Sequence, residues 1–142
     1  MAFGGLSYLA VVAAAIASFA FGGLWYGPLL GKQWMEALGK TKDDLLGAEG
    51  KPPVAAMVKT IIAELIMAWV LAGLIGHLGP GRVTPLDGLI SGAFVWLGFV
   101  ATTLIVNHGY QRAKVGLTLI DGGHWLGVLL VQGLVIGLFG GR

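Results

Sequence analysis

The chain has 142 residues, of which 56% are hydrophobic and only 11% are charged, and its formal net charge is +2. Soluble domains average about 25% charged residues, so this composition excludes an ordinary soluble domain and favours a membrane protein. The absence of Cys excludes disulfides and Cys-ligated zinc, and the few basic residues form no stripe, so we expect no nucleic-acid partner.

The first apolar run, Ala2 to Leu30, contains no charged residue. It lacks the basic start of a signal peptide and has no clear cleavage site, so we expect a retained span over about residues 3–29. Trp25 and Tyr26 suit the boundary between lipid and water. The following Gly27-Pro28 should end or kink the helix.

The longest polar stretch follows, from Gly31 to Pro53. Residues 34–38 have the composition of a short helix lying on the membrane surface. Thr41 and Asp44 have the spacing of a capping box, which predicts a small helical turn there.

The second apolar run predicts a span over residues 54–78, because a Pro pair precedes it and suits a helix start. Lys59 can extend back to the headgroups. Glu64 lies five residues deeper, about 7.5 Å along a helix, so its carboxyl group cannot easily do the same.

Two further spans are predicted, over residues 85–106 and 115–139. Thr84 and Asp87 mark the start of the third span, with Pro at the first helical position. The fourth is interrupted by Asp121-Gly122-Gly123-His124, which puts an acid and an imidazole on one helical face. The predicted fold is therefore a single all-α domain, residues 1–142, with four transmembrane helices in a compact bundle.

Basic residues are distributed unevenly between the two predicted ends of the bundle. One end has two of them, and the other has seven: Lys32, Lys40, Lys42, Lys51, Lys59, Arg112 and Lys114. Because basic residues favour the cytoplasmic side, both termini are expected on the non-cytoplasmic side.

Polar side chains from all four spans fall at one predicted depth, roughly 7 to 15 Å below the basic end. This layer contains Tyr26, Glu64, Thr102, Thr103, Asp121 and His124. Gln132 lies deeper in the fourth span and is expected to bond to a neighbouring helix or a symmetry mate.

Two interpretations of this layer stay open. Buried ionisable groups often mark ion or proton pathways, and Glu64, Asp121 and His124 could exchange protons or hold a cation. Their spacing identifies no particular metal. The alternative is a hydrogen-bonded network that joins the helices and has no transport role.

Small residues at intervals of four predict close helix packing on the fourth span. The residues concerned are Gly123, Gly127, Gly133 and Gly137. Since four helices hardly enclose a wide pathway, any conduit should lie between protomers, and we expect a homo-oligomer or a larger membrane complex.

Three blocks of sequence resemble a known family. They are Leu24-Trp25-Tyr26-Gly27-Pro28-Leu29, Gly98-Phe99-Val100-Ala101-Thr102-Thr103 and Ile120-Asp121 with a following His. Together they are similar to a bacterial family of small four-span membrane proteins of unknown function. The resemblance implies a multi-pass protein of the bacterial inner membrane, and it supplies no activity, cofactor or catalytic residue.

These patterns lead to two functional hypotheses. The first is a small proton- or cation-linked transporter or channel-like oligomer that uses the polar layer. The second is a non-catalytic accessory or assembly subunit of a larger complex. We expect no enzyme activity and no cofactor, because the sequence has no nucleophile–base pair of recognised spacing and no His-Glu-x-x-His motif.

Overall fold

The computed structural model describes residues 6–140, and within them it contains four helices long and apolar enough to cross a membrane. These spans pack against one another as a bundle. The first, second, third and fourth spans are Tyr8–Leu29, Val54–Gly76, Pro85–Tyr110 and Val115–Phe139. The predicted all-α four-helix membrane fold is confirmed.

The first span begins at a capped residue and ends at a break. The Ser7 side chain accepts a hydrogen bond from the backbone N–H of Ala10 at 3.1 Å, so the described helix starts at Tyr8. At its other end the α-helix gives way to a π-helix over Trp25–Leu29. Gly27 there has non-helical backbone angles, as expected before a proline.

A surface segment follows this break. It contains a helix over Gly31–Leu38 and a single turn over Lys42–Leu45. The capping box predicted at Thr41 and Asp44 is present, with the Thr41 backbone N–H donating to the Asp44 carboxylate at 2.8 Å. That bond and a second one from the Thr41 hydroxyl hold the pKa of Asp44 below its usual value.

The third span is longer than the sequence suggested. Its helix begins at Pro85 behind the predicted Thr84 cap, passes through a π-helical segment over Trp96–Ala101, and continues to Tyr110. The sequence placed its end at Val106. The extra turn is held because His108 Nδ1 lies 2.8 Å from the Thr118 hydroxyl of the fourth span.

The two ends of the bundle differ in character. We call the end formed by residues 30–53 and 111–114 the basic end, and the end that carries residues 6–7, 77–84 and 140 the terminal end. The apolar core lies toward the terminal end, where small residues let the first and second spans approach closely. Its most buried members are Ala14, Ala68, Leu71, Ile75 and Val128. The polar groups lie toward the basic end.

The fourth span is the centre of the bundle. It packs mainly against the first and third spans and is the most buried of the four. A Cβ on Gly133 would lie 2.1 Å from the carbonyl oxygen of Gly88, and one on Gly137 would lie 2.3 Å from that of Thr84. The third and fourth spans therefore touch backbone to backbone, an approach that only glycine permits.

The other two predicted packing glycines of the fourth span face aromatic rings of the first. A Cβ on Gly123 would lie 2.8 Å from the Trp25 ring, and one on Gly127 would lie 2.1 Å from the Phe21 ring. All four glycines thus lie at close contacts inside one protomer.

Candidate functional site

A half-open cavity of about 440 Å³ lies between the first, second and fourth spans, beneath the surface helix. Most of its wall is apolar or aromatic, and it includes one carboxyl group and one imidazole. The residues that line it are Phe19, Gly22, Gly23, Tyr26, Trp34, Ala56, Met57, Thr60, Glu64, His124 and Trp125. Its volume falls within the range of small-molecule sites, about 300–1,000 Å³.

Among the described residues that line this cavity, Glu64 alone carries a carboxyl group, and it is completely buried. Among the described residues, neither of its carboxylate oxygens has a hydrogen-bond partner, and no ion pair reaches it. The Ser18 hydroxyl faces the same carboxyl group. However, Ser18 donates its proton to the Ala15 carbonyl at 3.1 Å. Buried carboxylates are normally paired, so this one is exceptional.

Gln132 joins three helices behind Glu64. Its amide nitrogen donates to the Ser18 hydroxyl at 3.0 Å and to the backbone carbonyl of Glu64 at 3.1 Å. The first of these bonds reaches the first span and the second reaches the second span. Gln132 is fully buried, and its own side-chain oxygen has no partner in the described part of the chain. The interior around Glu64 is therefore rich in acceptors and short of donors.

His124 enters the cavity from the fourth span and is held by aromatic rings. Its ring centre lies 4.7 Å from that of Tyr26 and 4.6 Å from that of Trp125. Gly22 leaves room for the ring, because a Cβ there would lie 2.9 Å from His124 Nε2. The buried Nδ1 atom has no hydrogen-bond partner among residues 6–140.

A second polar cluster lies one turn nearer the basic end. The Tyr26 hydroxyl donates to the Asp121 carboxylate at 2.6 Å, and His108 Nε2 lies 3.9 Å from the other carboxylate oxygen. His108 in turn contacts the Thr118 hydroxyl. We call Tyr26, His108, Thr118 and Asp121 the tyrosine–aspartate cluster. In contrast to Glu64, its carboxylate is paired within the chain.

The predicted polar layer is only partly assembled. Glu64, His124 and Tyr26 line one cavity, and Asp121 connects to that cavity through the Tyr26 hydroxyl. Thr102 and Thr103 lie elsewhere: both are exposed, and their hydroxyls donate to the carbonyls of Gly98 and Phe99 in their own helix. These two threonines were placed in the layer from their position along the helix, which does not give the direction of a side chain.

Sequence reasoning gave little weight to two residues that complete the site. His108 lies beyond residue 106, where the sequence placed the end of the third span, yet the structure puts it on that span beside Asp121. Trp34 was assigned only to a surface helix, yet its ring packs 4.7 Å from that of Tyr26 and lines the cavity. The amphipathic spacing of the surface helix was a usable signal for Trp34, because its apolar face has to cover something.

Two tryptophans fix the position of the fourth span beside the cavity. The Trp25 indole N–H donates to the Ile120 carbonyl at 3.0 Å, and that of Trp96 donates to the Gly122 carbonyl at 2.8 Å. Each tryptophan begins the π-helical segment of its own span. These bonds hold the segment that carries both Asp121 and His124 from two sides.

A second cavity of about 570 Å³ adjoins the first one on the side of the basic end. It shares Tyr26, Trp34 and Ala56 with the Glu64 cavity, and its outer wall carries Lys32 and Lys42. We call it the antechamber. The paired rings of Tyr26 and Trp34 lie at the boundary between the two spaces.

Metal binding was left open by the sequence. Within residues 6–140, no group of three or more His, Asp or Glu side chains is placed to hold a metal ion. The carboxylates of Glu64 and Asp121 lie in separate clusters, so they do not form a joint ligand set.

Comparison with known proteins identifies the family. Residues 9–137 match the family described as "Protein of unknown function (DUF1761)". The chain belongs to this family. No curated protein and no solved structure matches the chain. The family carries no assigned activity, so any argument about the function of this DUF1761 member rests on its cavity.

Proposed function

We propose that this protein is a small membrane transport protein in which Glu64 and His124 bind and pass on a proton or another cation. The observation that carries the proposal is the fully buried Glu64 carboxyl group, which faces a cavity and has no partner among the described residues. Ionisable groups inside a membrane are costly and usually functional.

The chemistry follows from the shortage of donors around Glu64. Burying an unpaired, ionised carboxylate in a protein interior costs several kcal/mol of free energy unless a positive charge compensates it. A proton or a bound cation supplies that charge. His124 faces the same cavity and can take up or release a proton there.

The route to the basic end runs through the antechamber. Tyr26 and Trp34 border both cavities, so movement of these rings would open or close the passage between them. The terminal end beyond Glu64 is filled by the apolar core. A complete pathway therefore requires either a helix movement or a second protomer.

We further propose a homo-oligomer in the bacterial inner membrane, with the basic end in the cytoplasm and both termini outside. The distribution of Lys and Arg supports this orientation. The half-open cavity supports assembly, because four helices of this chain leave the Glu64 site open on one side.

The test is proton flux in liposomes that contain the purified protein and an internal pH-sensitive dye. We expect flux with the wild type, loss of at least tenfold with Glu64→Gln, and no change with the matched control Glu49→Gln. Glu49 is exposed and pairs with Lys51 outside the spans. Absence of flux in the wild type, or equal flux in both variants, would contradict the transport proposal.

A further inference from the structure

We propose that the Glu64 cavity takes an organic ammonium ion with an aromatic or apolar body. This inference rests on the proposed function for its biological meaning, since it names the cation that the site would carry.

Inorganic cations are poorly matched to this cavity. Calcium needs six to eight oxygen ligands, and magnesium needs six in octahedral geometry. The cavity offers at most four such side-chain oxygens, the two of Glu64 and the hydroxyl oxygens of Tyr26 and Thr60. Most of the remaining wall is carbon, which cannot replace the hydration shell of a metal ion.

An ammonium ion with an apolar body is well matched to the same wall. It needs one compensating negative charge, which Glu64 supplies, and weakly polar surfaces around its methyl or methylene groups. Aromatic faces attract such cations, and tryptophan does so most strongly. Three aromatic side chains line the cavity together with Glu64, and each comes from a different helix. Trp34 lies on the surface helix, Trp125 on the fourth span and Tyr26 on the first span.

The charge distribution also favours an amphiphilic cation. Lys32 and Lys42 on the antechamber wall repel small hydrophilic cations that approach from water. The rim of the cavity includes exposed residues of two spans, Gly23, Ala56 and Met57. A cation with an apolar body, already partitioned into the membrane surface, can reach Glu64 past this rim.

The experiment uses benzyltrimethylammonium and its uncharged carbon isostere, neopentylbenzene. The two molecules have nearly the same shape and differ by one positive charge. Binding of radiolabelled benzyltrimethylammonium to the purified full chain in lipid nanodiscs is measured by equilibrium dialysis, and unlabelled neopentylbenzene is added as a competitor.

We expect the dissociation constant of the ammonium ion to be at least tenfold lower than the inhibition constant of neopentylbenzene. Glu64→Gln should weaken its binding at least tenfold, and Glu49→Gln should leave it unchanged. Trp125→Ala should weaken it about threefold to tenfold. The control Trp69→Ala, a substitution on the second span outside the cavity lining, should have no effect.

Equal competition by neopentylbenzene would overturn the proposal, and this comparison needs no variant that might misfold. Unchanged ammonium binding in a folded Glu64→Gln protein would overturn it as well, with folding checked by gel filtration and helical circular dichroism. Glu64-dependent proton flux without ammonium binding would contradict the proposed substrate class but not the transport proposal. Ammonium binding without any proton flux would contradict the transport proposal but support the proposed binding site.

Discussion

Two carboxylates lie close to Tyr26 in this bundle, and their surroundings differ sharply. Asp121 accepts from the Tyr26 hydroxyl at 2.6 Å and has His108 nearby, so the tyrosine–aspartate cluster is satisfied within the chain. Glu64 is more deeply buried and has no partner among the described residues. The Asp121 arrangement stabilises the contact between three helices. The Glu64 carboxylate has no compensating charge among the described residues, and a cationic ligand could supply it.

This difference suggests that each of the two interpretations of the polar layer applies to a different carboxylate. Natural proteins satisfy buried polar groups wherever they only need stability, and they violate that rule mainly at functional sites. By this reasoning Asp121 belongs to the scaffold and Glu64 to the site. Substitutions in the two clusters should therefore change different measured quantities.

The largest effect on stability is expected for Asp121→Ala. It leaves the Tyr26 hydroxyl buried without its acceptor, so the free energy of unfolding should fall by about 2 kcal/mol. Thermal unfolding in mild detergent, followed by circular dichroism, measures the change. Tyr26→Phe should lose a similar amount, and the double variant should lose less than the sum. Fully additive losses would mean that this bond does not couple the first and fourth spans.

The sequence predicted a depth for both carboxylates but could not predict their partners. Depth needs only the span boundaries and the rise per residue, which is why Glu64, Asp121 and His124 were placed at one level. Rotation about the helix axis needs an amphipathic pattern, and spans in lipid are apolar on every side. Thr102 and Thr103 show the consequence, since they were predicted at the same level but are exposed, with hydroxyls that donate within their own helix.

The four-helix fold and the glycine contacts were predictable for a related reason. Long apolar runs and closely spaced glycines are one-dimensional signals, and Gly133 and Gly137 do meet backbone atoms of the third span. The interior hydrogen bonds of Gln132 are different, because they depend on which helices become neighbours. Its partners on the first and second spans follow from three-dimensional packing alone.

A second prediction concerns Gly22 in the wall of the Glu64 cavity. Its substitution should lower the free energy of unfolding by less than Asp121→Ala does. In Gly22→Ala the new methyl group would lie 2.9 Å from His124 Nε2, so the imidazole must shift. We expect proton flux to fall severalfold while the free energy of unfolding changes by less than about 1 kcal/mol, since alanine also favours the helix.

The matched control is Gly98→Ala, on the third span and outside the cavity lining, where a Cβ meets nothing within 4 Å. It receives the same gain in helix propensity and should leave flux close to the wild-type value. Equal flux in the two variants would show that the position of the His124 ring is unimportant for transport.

A third prediction tests the weaker side of the tyrosine–aspartate cluster. His108 Nε2 lies 3.9 Å from Asp121, a long and partly accessible pairing, so His108→Gln should lower the free energy of unfolding by only about 1 kcal/mol. Thr118→Val removes the 2.8 Å contact to His108 Nδ1 and leaves the ring in place. If the two variants unfold at the same temperature, that contact accounts for the whole contribution of His108.

The smallest expected change in stability belongs to the residue with the largest expected effect on transport. Glu64→Gln keeps the size of the side chain and removes a carboxyl group that has no partner in residues 6–140, so no described bond is lost. We expect the free energy of unfolding to stay within about 1 kcal/mol of the wild type, or to rise, because replacing an uncompensated buried charge is often neutral or stabilising. A loss as large as that of Asp121→Ala, measured in the same detergent, would mean that Glu64 is a structural group. The contrast between the two carboxylates would then have no functional meaning.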